Sequence, residues 1–137
     1  MAGSGLEHAL ERVGDRWSLL VVESLLDRPR RFGELASAMP GIAPNILTAR
    51  LRSLQREGIV VARPYSRRPV RLSYELSASG RELAGALLML AQWGARATGD
   101  AETPRHASCG TPMDARWYCP TCARAVDEHE ASDVRFV

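Results

Sequence analysis

Four potential metal ligands lie near the C-terminus in two pairs of identical spacing. His106 and Cys109 form the first pair, Cys119 and Cys122 form the second, and nine residues separate the pairs. A gap of two residues lets both side chains of a pair converge on one ion, and three thiolates with one imidazole suit tetrahedral Zn²⁺. Four protein ligands leave no open position for a catalytic water, so the sequence predicts a structural zinc ion.

The tail from residue 106 to 137 resembles a zinc ribbon in which a histidine replaces one cysteine. The chain has three cysteines, all between positions 109 and 122, and in a reducing compartment such a cluster favours metal binding over a disulfide framework. Two alternatives remain. Cys119 and Cys122 could be a redox pair that makes the tail a thiol sensor, or the tail could be a metal-free remnant. His129 could replace His106, although its spacing is poorer.

A second candidate site is the arginine-bearing face of a predicted helix from Pro44 to Arg56. At 100° per residue, Leu47, Leu51 and Leu54 share one face. The opposite side carries Asn45, Ala49, Arg52 and Arg56, with Thr48 at its edge. This division is typical of a helix that packs on a core and lies in a DNA groove. An amphipathic core helix with a solvated charged face is the alternative, which the flanking helix and strands disfavour.

Two predicted strands, 59–64 and 70–76, follow this helix and enclose a basic tip. The tip, 65–69, contains Arg67 and Arg68. It is placed to reach phosphates or the minor groove as a wing. The alternative is a charged loop that is simply solvated. From Arg28 to Arg71 there are ten arginines and two acids, a net charge of +8, while 99–137 has four arginines and seven acids, a net charge of −3. The basic charge therefore accompanies the predicted helix and wing.

Other patterns predict the helices that position these residues. They predict helices over 6–13, over 16–26 with Asp15 as N-cap, and over 32–38. The stripe expected to be buried in the second helix is Trp17, Leu20, Val21, Ser24 and Leu25. Ser79 to Glu82 reads as a capping box that opens a helix to about Ala97. The fold class predicted is mainly α (α+β): a winged helix-turn-helix with a two-stranded wing, a dimerisation helix and a small ribbon-like appendix.

The last predicted helix is apolar on more than one side, which a small domain cannot cover alone. We therefore expect a homodimer interface, with packing onto the chain's own first helix as the alternative. The expected interface residues are Leu6, Leu83, Leu87, Leu90 and Trp93. The predicted organisation is a DNA-binding and dimerisation domain over 4–97, a linker over 98–105 and the tail over 106–137.

Composition bounds the remaining possibilities. The sequence has no run of about 18 apolar residues, so it predicts no membrane span. The N-terminus does not resemble a secretory signal, so we expect a cytoplasmic protein. There is no glycine-rich phosphate loop and no Ser/His/Asp or Cys/His set with a plausible scaffold. The sequence therefore argues against an enzyme. A winged helix that binds another protein is the second class considered, and a thiol- or metal-responsive regulator that uses the cysteine cluster is the third.

Taken in order, several motifs resemble the HxlR family of winged helix-turn-helix regulators, which are related to MarR proteins. The matching segments are 13–20, 29–35, 47–54, 58–60, 74–80 and 93–94. The resemblance implies a homodimer on a pseudo-palindromic operator, with helix 44–56 in the major groove and the wing at 64–70 alongside. By position, Asn45, Thr48 and Arg52 would contact DNA together with the wing residues Arg67 and Arg68, and Arg30 and Arg31 would assist at the backbone. A repressor is the expected role, and the effector is unknown.

Three departures from the family pattern matter. Oxidant-sensing members use a cysteine near the N-terminus, and Ser4 occupies that position, which argues against thiol sensing by that route. Ala43 replaces the usual serine before the recognition helix, so a side-chain cap is lost at a cost of roughly 1 kcal/mol. The wing has Pro69-Val70 in place of Pro-Pro, and Ser73 replaces a glutamate, so we expect the path of the wing to differ from that of the family.

Overall fold

The computed structural model describes residues 3–99 and 103–126. The chain separates into two compact units, Met1–Leu87 and Leu88–Val137, here called the N-terminal and C-terminal units. The division falls inside a helix and not in the 98–105 segment, of which residues 100–102 lie outside the described residues, as do 127–137 of the tail, including His129. The domain limits inferred from the sequence remain predictions.

Helices dominate the N-terminal unit, as predicted. The helices among the described residues are α1 (Gly5–Val13), α2 (Ser18–Ser24), α3 (Phe32–Ala38), α4 (Pro44–Arg56), α5 (Ala78–Arg81) and α6 (Ala84–Thr98). The bounds of α3 and α4 match the sequence prediction. Ser4 begins α1 with a capping box, because its side chain accepts from the backbone N–H of Glu7 while the Glu7 carboxylate accepts from Ser4 N.

The second helix is shorter than predicted, because the range 16–26 was wrong at both ends. Asp15 acts as a cap, with Oδ1 accepting from Trp17 N at 2.9 Å and from Ser18 N at 3.0 Å, but Arg16 and Trp17 form a turn before α2. The helix ends at Ser24, five residues before Pro29. Of the predicted stripe, Val21 and Leu25 are buried, Trp17 and Ser24 are partly buried, and Leu20 is exposed.

The predicted capping box at Ser79 was also wrong. Ser77 is the N-cap, with its Oγ accepting from Gly80 N at 3.0 Å and donating to Gly58 O at 2.6 Å. A turn at residues 82–83 then separates α5 from α6, so one predicted helix is two. Gly80 explains the arrangement, because a Cβ there would lie 2.4 Å from the carbonyl oxygen of Ile59. The close approach holds α5 against Ile59, at the start of the antiparallel sheet.

That sheet has three antiparallel strands where the sequence predicted two. The strands are β1 (Arg30–Arg31), β2 (Val60–Arg67) and β3 (Val70–Leu76), in the order β1-β3-β2. β1 escaped prediction because two residues carry no periodic signal. β2 runs past its predicted end at Pro64, with an irregularity between Pro64 and Ser66, and the last pair is Arg67 with Val70. The wing tip is therefore only Arg68 and Pro69.

The core of the N-terminal unit lies where α2, α3 and α4 meet the inner ends of β2 and β3. Its most deeply buried apolar residues are Val21, Val22, Leu25, Leu35, Leu47, Leu51 and Leu54. In β3, alternation predicted a half-buried strand, but only its inner end is covered. Leu76 is buried, Tyr74 is half-buried, and Val70 and Leu72 are exposed. The outer half of the wing therefore extends beyond the core.

The C-terminal unit contains most of α6 and a tail of short hairpins. In the tail, Arg105 pairs with Pro112, and β4 (Tyr118–Cys119) pairs antiparallel with β5 (Arg124–Ala125). None of residues 103–126 is buried. Apolar packing therefore contributes little to the order of the tail. Among the described residues, no helix has the length and apolar character needed to cross a bilayer.

Candidate nucleic-acid interface

The helix predicted to read DNA, α4, has defined start and stop signals. Ala43 has the extended backbone of an N-cap residue but offers no side-chain acceptor, and Pro44 follows at the first helical position. At the other end, Ile59 N donates to Leu54 O and Gly58 N donates to Gln55 O, which is the Schellman arrangement. Gly58 has a φ of +71°, a conformation that glycine adopts without strain.

The two faces of α4 differ in burial as the sequence predicted. Leu47, Leu51 and Leu54 are at most 1% exposed and fix the helix to the core. On the opposite side Asn45, Arg52 and Arg56 are exposed, and Thr48 and Ala49 are partly buried. Thr48 Oγ1 donates to Pro44 O at 3.0 Å, which directs the methyl group of the threonine away from that carbonyl. The polar face is therefore available to a ligand from Asn45 to Arg56.

The arginines of α4 divide into one that is paired and two that are not. Arg50 lies at the edge of the buried side, where its Nη1 is 3.3 Å from Asp15 Oδ2. Arg52 and Arg56 form no ion pair with any carboxylate of the described residues. Burial raises the pKa of the Tyr74 hydroxyl, and the charge of nearby Arg52 offsets part of that effect. The exposed face of α4 thus carries positive charge that no carboxylate in 3–99 or 103–126 neutralises.

The outer half of the wing carries three more arginines without a partner. Arg67, Arg68 and Arg71 are exposed and form no ion pair within 3–99 and 103–126. Ser66 Oγ donates to Pro69 O at 2.9 Å and closes the tip. In contrast, Arg63 of the inner part of β2 is bound to the carboxylate of Glu75 on β3. The uncompensated charge is therefore concentrated at the far end of the hairpin.

Strand β1 places Arg31 against the wing, in a contact that the sequence did not predict. The Arg31 guanidinium lies over the ring of Tyr65, with Cζ 4.2 Å from the ring centroid. Arg31 is placed there because its strand pairs with Ser73 of β3. The sequence places Tyr65 only within the predicted tip, 65–69. No spacing in the sequence could have revealed the contact, because the two residues meet only through the third strand.

Arg30, its neighbour, has internal partners. Its guanidinium donates to Ser24 O and lies 3.3 Å from Asp27 Oδ1, and the side chain is 22% exposed. Arg28 forms an ion pair with Glu34 at 2.8 Å. The hydrogen bond from Arg31 N and then that from the Arg28 side chain lower the pKa of Glu34. Within the predicted DNA-contacting set, Arg30 is therefore the residue least free to contact a phosphate.

The residues predicted for a dimer interface fall into two groups. Leu83 and Leu87 are half-buried and pack against the core of their own N-terminal unit. Leu6 on α1 and Leu90 and Trp93 on α6 are 68%, 52% and 70% exposed. Leu88 and Met89 add to the exposed apolar surface of α6, which has no buried residue. Among the described residues, the apolar side chains of α6 from Leu88 to Trp93 therefore remain largely exposed.

The four candidate metal ligands lie in two turns of the tail. His106 Nδ1 is 3.4 Å from Cys109 Sγ, and Cys119 and Cys122 are hydrogen-bonded to each other at the second turn. Hydrogen bonds to Thr111 lower the pKa of Cys109, and those from Cys122 lower the pKa of Cys119. Across the described part of the chain, no three His, Cys, Asp or Glu side chains are gathered around one point. The structure thus forms both predicted pairs but does not bring all four ligands together.

Comparison with known proteins identifies the family. A profile described as HxlR-like helix-turn-helix matches residues 12–102, about two thirds of the chain. The chain belongs to the HxlR-like helix-turn-helix family. Among the curated relatives of this HxlR-like protein, the uncharacterized HTH-type transcriptional regulator Rv3095 of Mycobacterium tuberculosis is 38% identical over 128 residues, covering 90% of this chain and 80% of its own.

Solved structures agree on the fold. The solved structure of ytcD, which shares its name with an HTH-type transcriptional regulator of Bacillus subtilis, is 36% identical in sequence and has a TM-score of 0.66. The match covers 71% of this chain and 99% of the ytcD chain. A Pseudomonas aeruginosa protein described as a candidate transcription factor, PA1374, is 32% identical, with a TM-score of 0.66, over 90% of this chain and 86% of its own. Structures described as MarR-family regulators are similar in fold as well. The HxlR-like chain is thus a DNA-binding transcription regulator with an α+β winged helix-turn-helix.

Proposed function

We propose that this HxlR-like protein is a sequence-specific regulator of transcription that binds a pseudo-palindromic operator as a homodimer and represses the adjacent gene. The observation that carries the proposal is the set of exposed, uncompensated arginines shared by one face of α4 and the outer wing. Double-stranded DNA is the partner that such a set fits, since its phosphates supply the missing negative charge. We also propose a cytoplasmic location, because the relatives named above come from bacteria, in which the chromosome lies in the cytoplasm.

In the proposed complex α4 lies in the major groove. Arg52 can donate two hydrogen bonds to a guanine edge, and Asn45 can pair with an adenine in the same way. Thr48 and Ala49 offer small apolar groups where a thymine methyl can be accommodated, and Arg56 extends toward the phosphate backbone. Burial of three leucines on the other face supports a fixed orientation of the helix.

The wing supplies contacts that position the protein without reading sequence. Arg67 and Arg68 are proposed to contact flanking phosphates or the minor groove. Arg31 is proposed to assist at the backbone while it supports Tyr65 in the outer part of β2. Arg30 contributes less in this scheme, because Ser24 and Asp27 already engage its guanidinium.

A second copy of the chain is the proposed occupant of the apolar surface of α6. The exposed side chains of Leu90 and Trp93, together with Leu88 and Met89, support this assignment, because a large exposed apolar surface marks an interaction site. Leu6 on α1 is proposed to join the interface, whereas Leu83 and Leu87 serve the chain's own core. Two-fold symmetry of the dimer then gives a pseudo-palindromic site.

The dimer is tested by Trp93→Glu, with Trp117→Glu as the matched control. Both tryptophans are mostly exposed in the single chain, so neither substitution removes core packing. Sedimentation velocity of the full chain is expected to show a dimer for the wild type and the control and a monomer for Trp93→Glu. A dimer that survives Trp93→Glu unchanged would remove α6 from the interface.

The DNA-binding proposal is tested by fluorescence anisotropy on the DNA upstream of the gene, compared with a scrambled duplex at physiological salt. We expect a preference of about 10³-fold or more for the upstream site, with affinity that falls steeply as salt is raised. Equal and weak binding to both duplexes, followed by failure to enrich any genomic fragment, would overturn the proposal and favour a winged helix that binds another protein.

Repression is tested by a reporter that carries the upstream site, in which deletion of the regulator gene is expected to raise expression.

A further inference from the structure

The tail contains two tight turns whose side chains are potential metal ligands and which the proposed DNA complex does not use. His106 N donates to Thr111 O at 2.9 Å, and Gly110 N donates back to His106 O at 2.7 Å, so the first turn is closed by backbone bonds. The pairing of Arg105 with Pro112 extends this turn into a short hairpin. His106 and Cys109 are thereby held at its two corners.

The distance within the first pair matches a shared metal ion. Nδ1 of His106 is 3.4 Å from Sγ of Cys109. Bonds of about 2.0 Å from zinc to nitrogen and about 2.3 Å to sulfur put such ligands about 3.5 Å apart in a tetrahedron. The pair can therefore accept one ion without a large rearrangement of its own turn.

The second turn also holds a pair of potential ligands at the end of a hairpin. Cys119 and Cys122 lie at the end of the β4–β5 hairpin, in which Cys119 pairs with Arg124 and Val126 N donates to Trp117 O at 2.7 Å. Each half-site is thus two ligands at the corner of one hairpin, with the same gap of two residues. The nine residues between the pairs can span up to about 30 Å, so the chain can bring both turns onto one ion.

The energetics of the tail also point to a metal. None of residues 103–126 is buried, and Trp117 and Tyr118 are exposed. Two isolated hairpins are marginal in water, and small units without a core gain their folding energy from disulfides or metals. Metal binding that closes four ligands supplies such energy directly.

Relatives show that the tail recurs. The matches to Rv3095 and PA1374 each cover 90% of this chain. Residues 1–102 are only 102 of 137, so both matches must continue into 103–126. The match to ytcD covers 71% of the chain, which does not require the tail. The region similar to these two relatives therefore includes part of the tail.

We propose that His106, Cys109, Cys119 and Cys122 bind one structural Zn²⁺ that joins the two hairpins of the tail. The imidazole and three thiolates complete a tetrahedral shell, so the ion has no open position for a substrate or for water. Binding displaces the thiol protons to solvent and exchanges the pairwise contacts at each turn for four bonds to zinc. The ion fixes the fold of the tail, and this role does not depend on DNA binding.

The test uses the full chain, purified without chelator from zinc-supplemented cells. Metal analysis is expected to give one zinc per chain in the wild type and close to none in Cys109→Ser and Cys119→Ser. Thr121→Ala, which removes a side chain between the second pair of ligands, is the control and is expected to keep its zinc. His106→Ala is expected to lose the ion and His106→Cys to retain it, because a fourth thiolate restores the shell.

A second readout is independent of zinc content. Co²⁺ added to the metal-free protein is expected to show thiolate-to-cobalt charge-transfer absorption and the visible bands of a tetrahedral site. Each cysteine variant should weaken the charge-transfer band, and Thr121→Ala should not.

Three results would overturn the proposal. The first is absence of stoichiometric zinc together with a mass that lacks two hydrogens and a Cys119–Cys122 disulfide, which would make the pair redox-active. The second is absence of zinc with all three thiols reduced, which would leave a metal-free tail. The third is zinc that is retained in His106→Ala and lost in His129→Ala, which would replace His106 as the fourth ligand.

Discussion

The Arg31 guanidinium packs over the Tyr65 ring at 4.2 Å and joins the start of α3 to the wing. At an exposed site such a cation–π contact stabilises by about 0.5–1 kcal/mol. A double-mutant cycle with Arg31→Ala and Tyr65→Ala should therefore give a coupling of that size in the free energy of unfolding by urea. Tyr65→Phe keeps the ring and should retain most of the coupling. Strictly additive effects of the two alanine substitutions would show that the contact contributes nothing.

Gly80 is the position at which the smallest substitution should do the most damage. A Cβ there would lie 2.4 Å from Ile59 O and 3.2 Å from side-chain atoms of Ile59 and Leu76, so backbone would have to move. We expect Gly80→Ala to lower the free energy of unfolding by more than about 2 kcal/mol, because the overlap lies in the core.

Gly85→Ala is the matched control for this prediction. Gly85 lies in α6 with no atom within 4 Å of an added Cβ, and alanine in a helix is more favourable than glycine by about 0.5–1 kcal/mol. Thermal unfolding should therefore show a lower Tm for Gly80→Ala and an equal or higher Tm for Gly85→Ala. Equal losses at both positions would contradict the close approach at Gly80.

Ala43→Ser should stabilise the protein. Ala43 already has the extended backbone of an N-cap, but α4 begins without a side-chain acceptor. A serine hydroxyl can accept from the N–H of Asn45, whereas the N–H of Ile46 already donates to Ala43 O. Such a cap is worth about 1 kcal/mol. We expect chemical denaturation to show a gain of this size, and Ala43→Val, which adds bulk but no acceptor, to show none.

Asp15 should make stability depend on pH in acid. Burial alone would raise the pKa of Asp15, but hydrogen bonds from Ser18 and Trp17 and the charge of Arg50 outweigh it, so the folded pKa is lowered. The stabilisation is therefore present above the ordinary aspartate pKa of about 3.9 and disappears as pH falls through the lower folded value.

Asp15→Asn isolates that contribution. The amide keeps an oxygen for the N–H groups of Trp17 and Ser18 but loses the oxygen that accepts from the Ser18 hydroxyl and the charge that faces Arg50. The wild type should be the more stable at pH 7, and the difference between the two proteins in free energy of unfolding should shrink between pH 5 and pH 3. A difference that stays constant over this range would show that Asp15 titrates normally.

The sequence predicted the site better than the framework around it. Helix α4 could be placed to the residue, because Pro44, the leucine spacing and Gly58 are local signals. The third strand could not, because β1 has two residues and exists only through its pairing with Tyr74 and Ser73. The break between α5 and α6 was missed for the same reason: Gly80 matters through the backbone of Ile59, twenty-one positions away in the chain.

If α4 contacts base edges and the wing contacts phosphates, as proposed, substitutions in the two elements should affect specificity differently. Arg52→Ala is expected to cost about 1–3 kcal/mol on the operator and less on scrambled DNA, because it removes a contact with a base edge. Arg67→Ala should weaken binding to both duplexes by a similar factor and make affinity less salt-dependent, because it removes a phosphate contact.

The control for both variants is Arg63→Ala. Arg63 lies on the same strand as Arg67, but its guanidinium is bound to Glu75. Loss of Arg63 should therefore leave DNA affinity nearly unchanged. Anisotropy titrations of the three variants on operator and scrambled duplexes, each at several salt concentrations, separate these cases. If Arg52→Ala lowered affinity for both duplexes equally, α4 would contact only the backbone, and sequence reading would have to come from elsewhere on the protein.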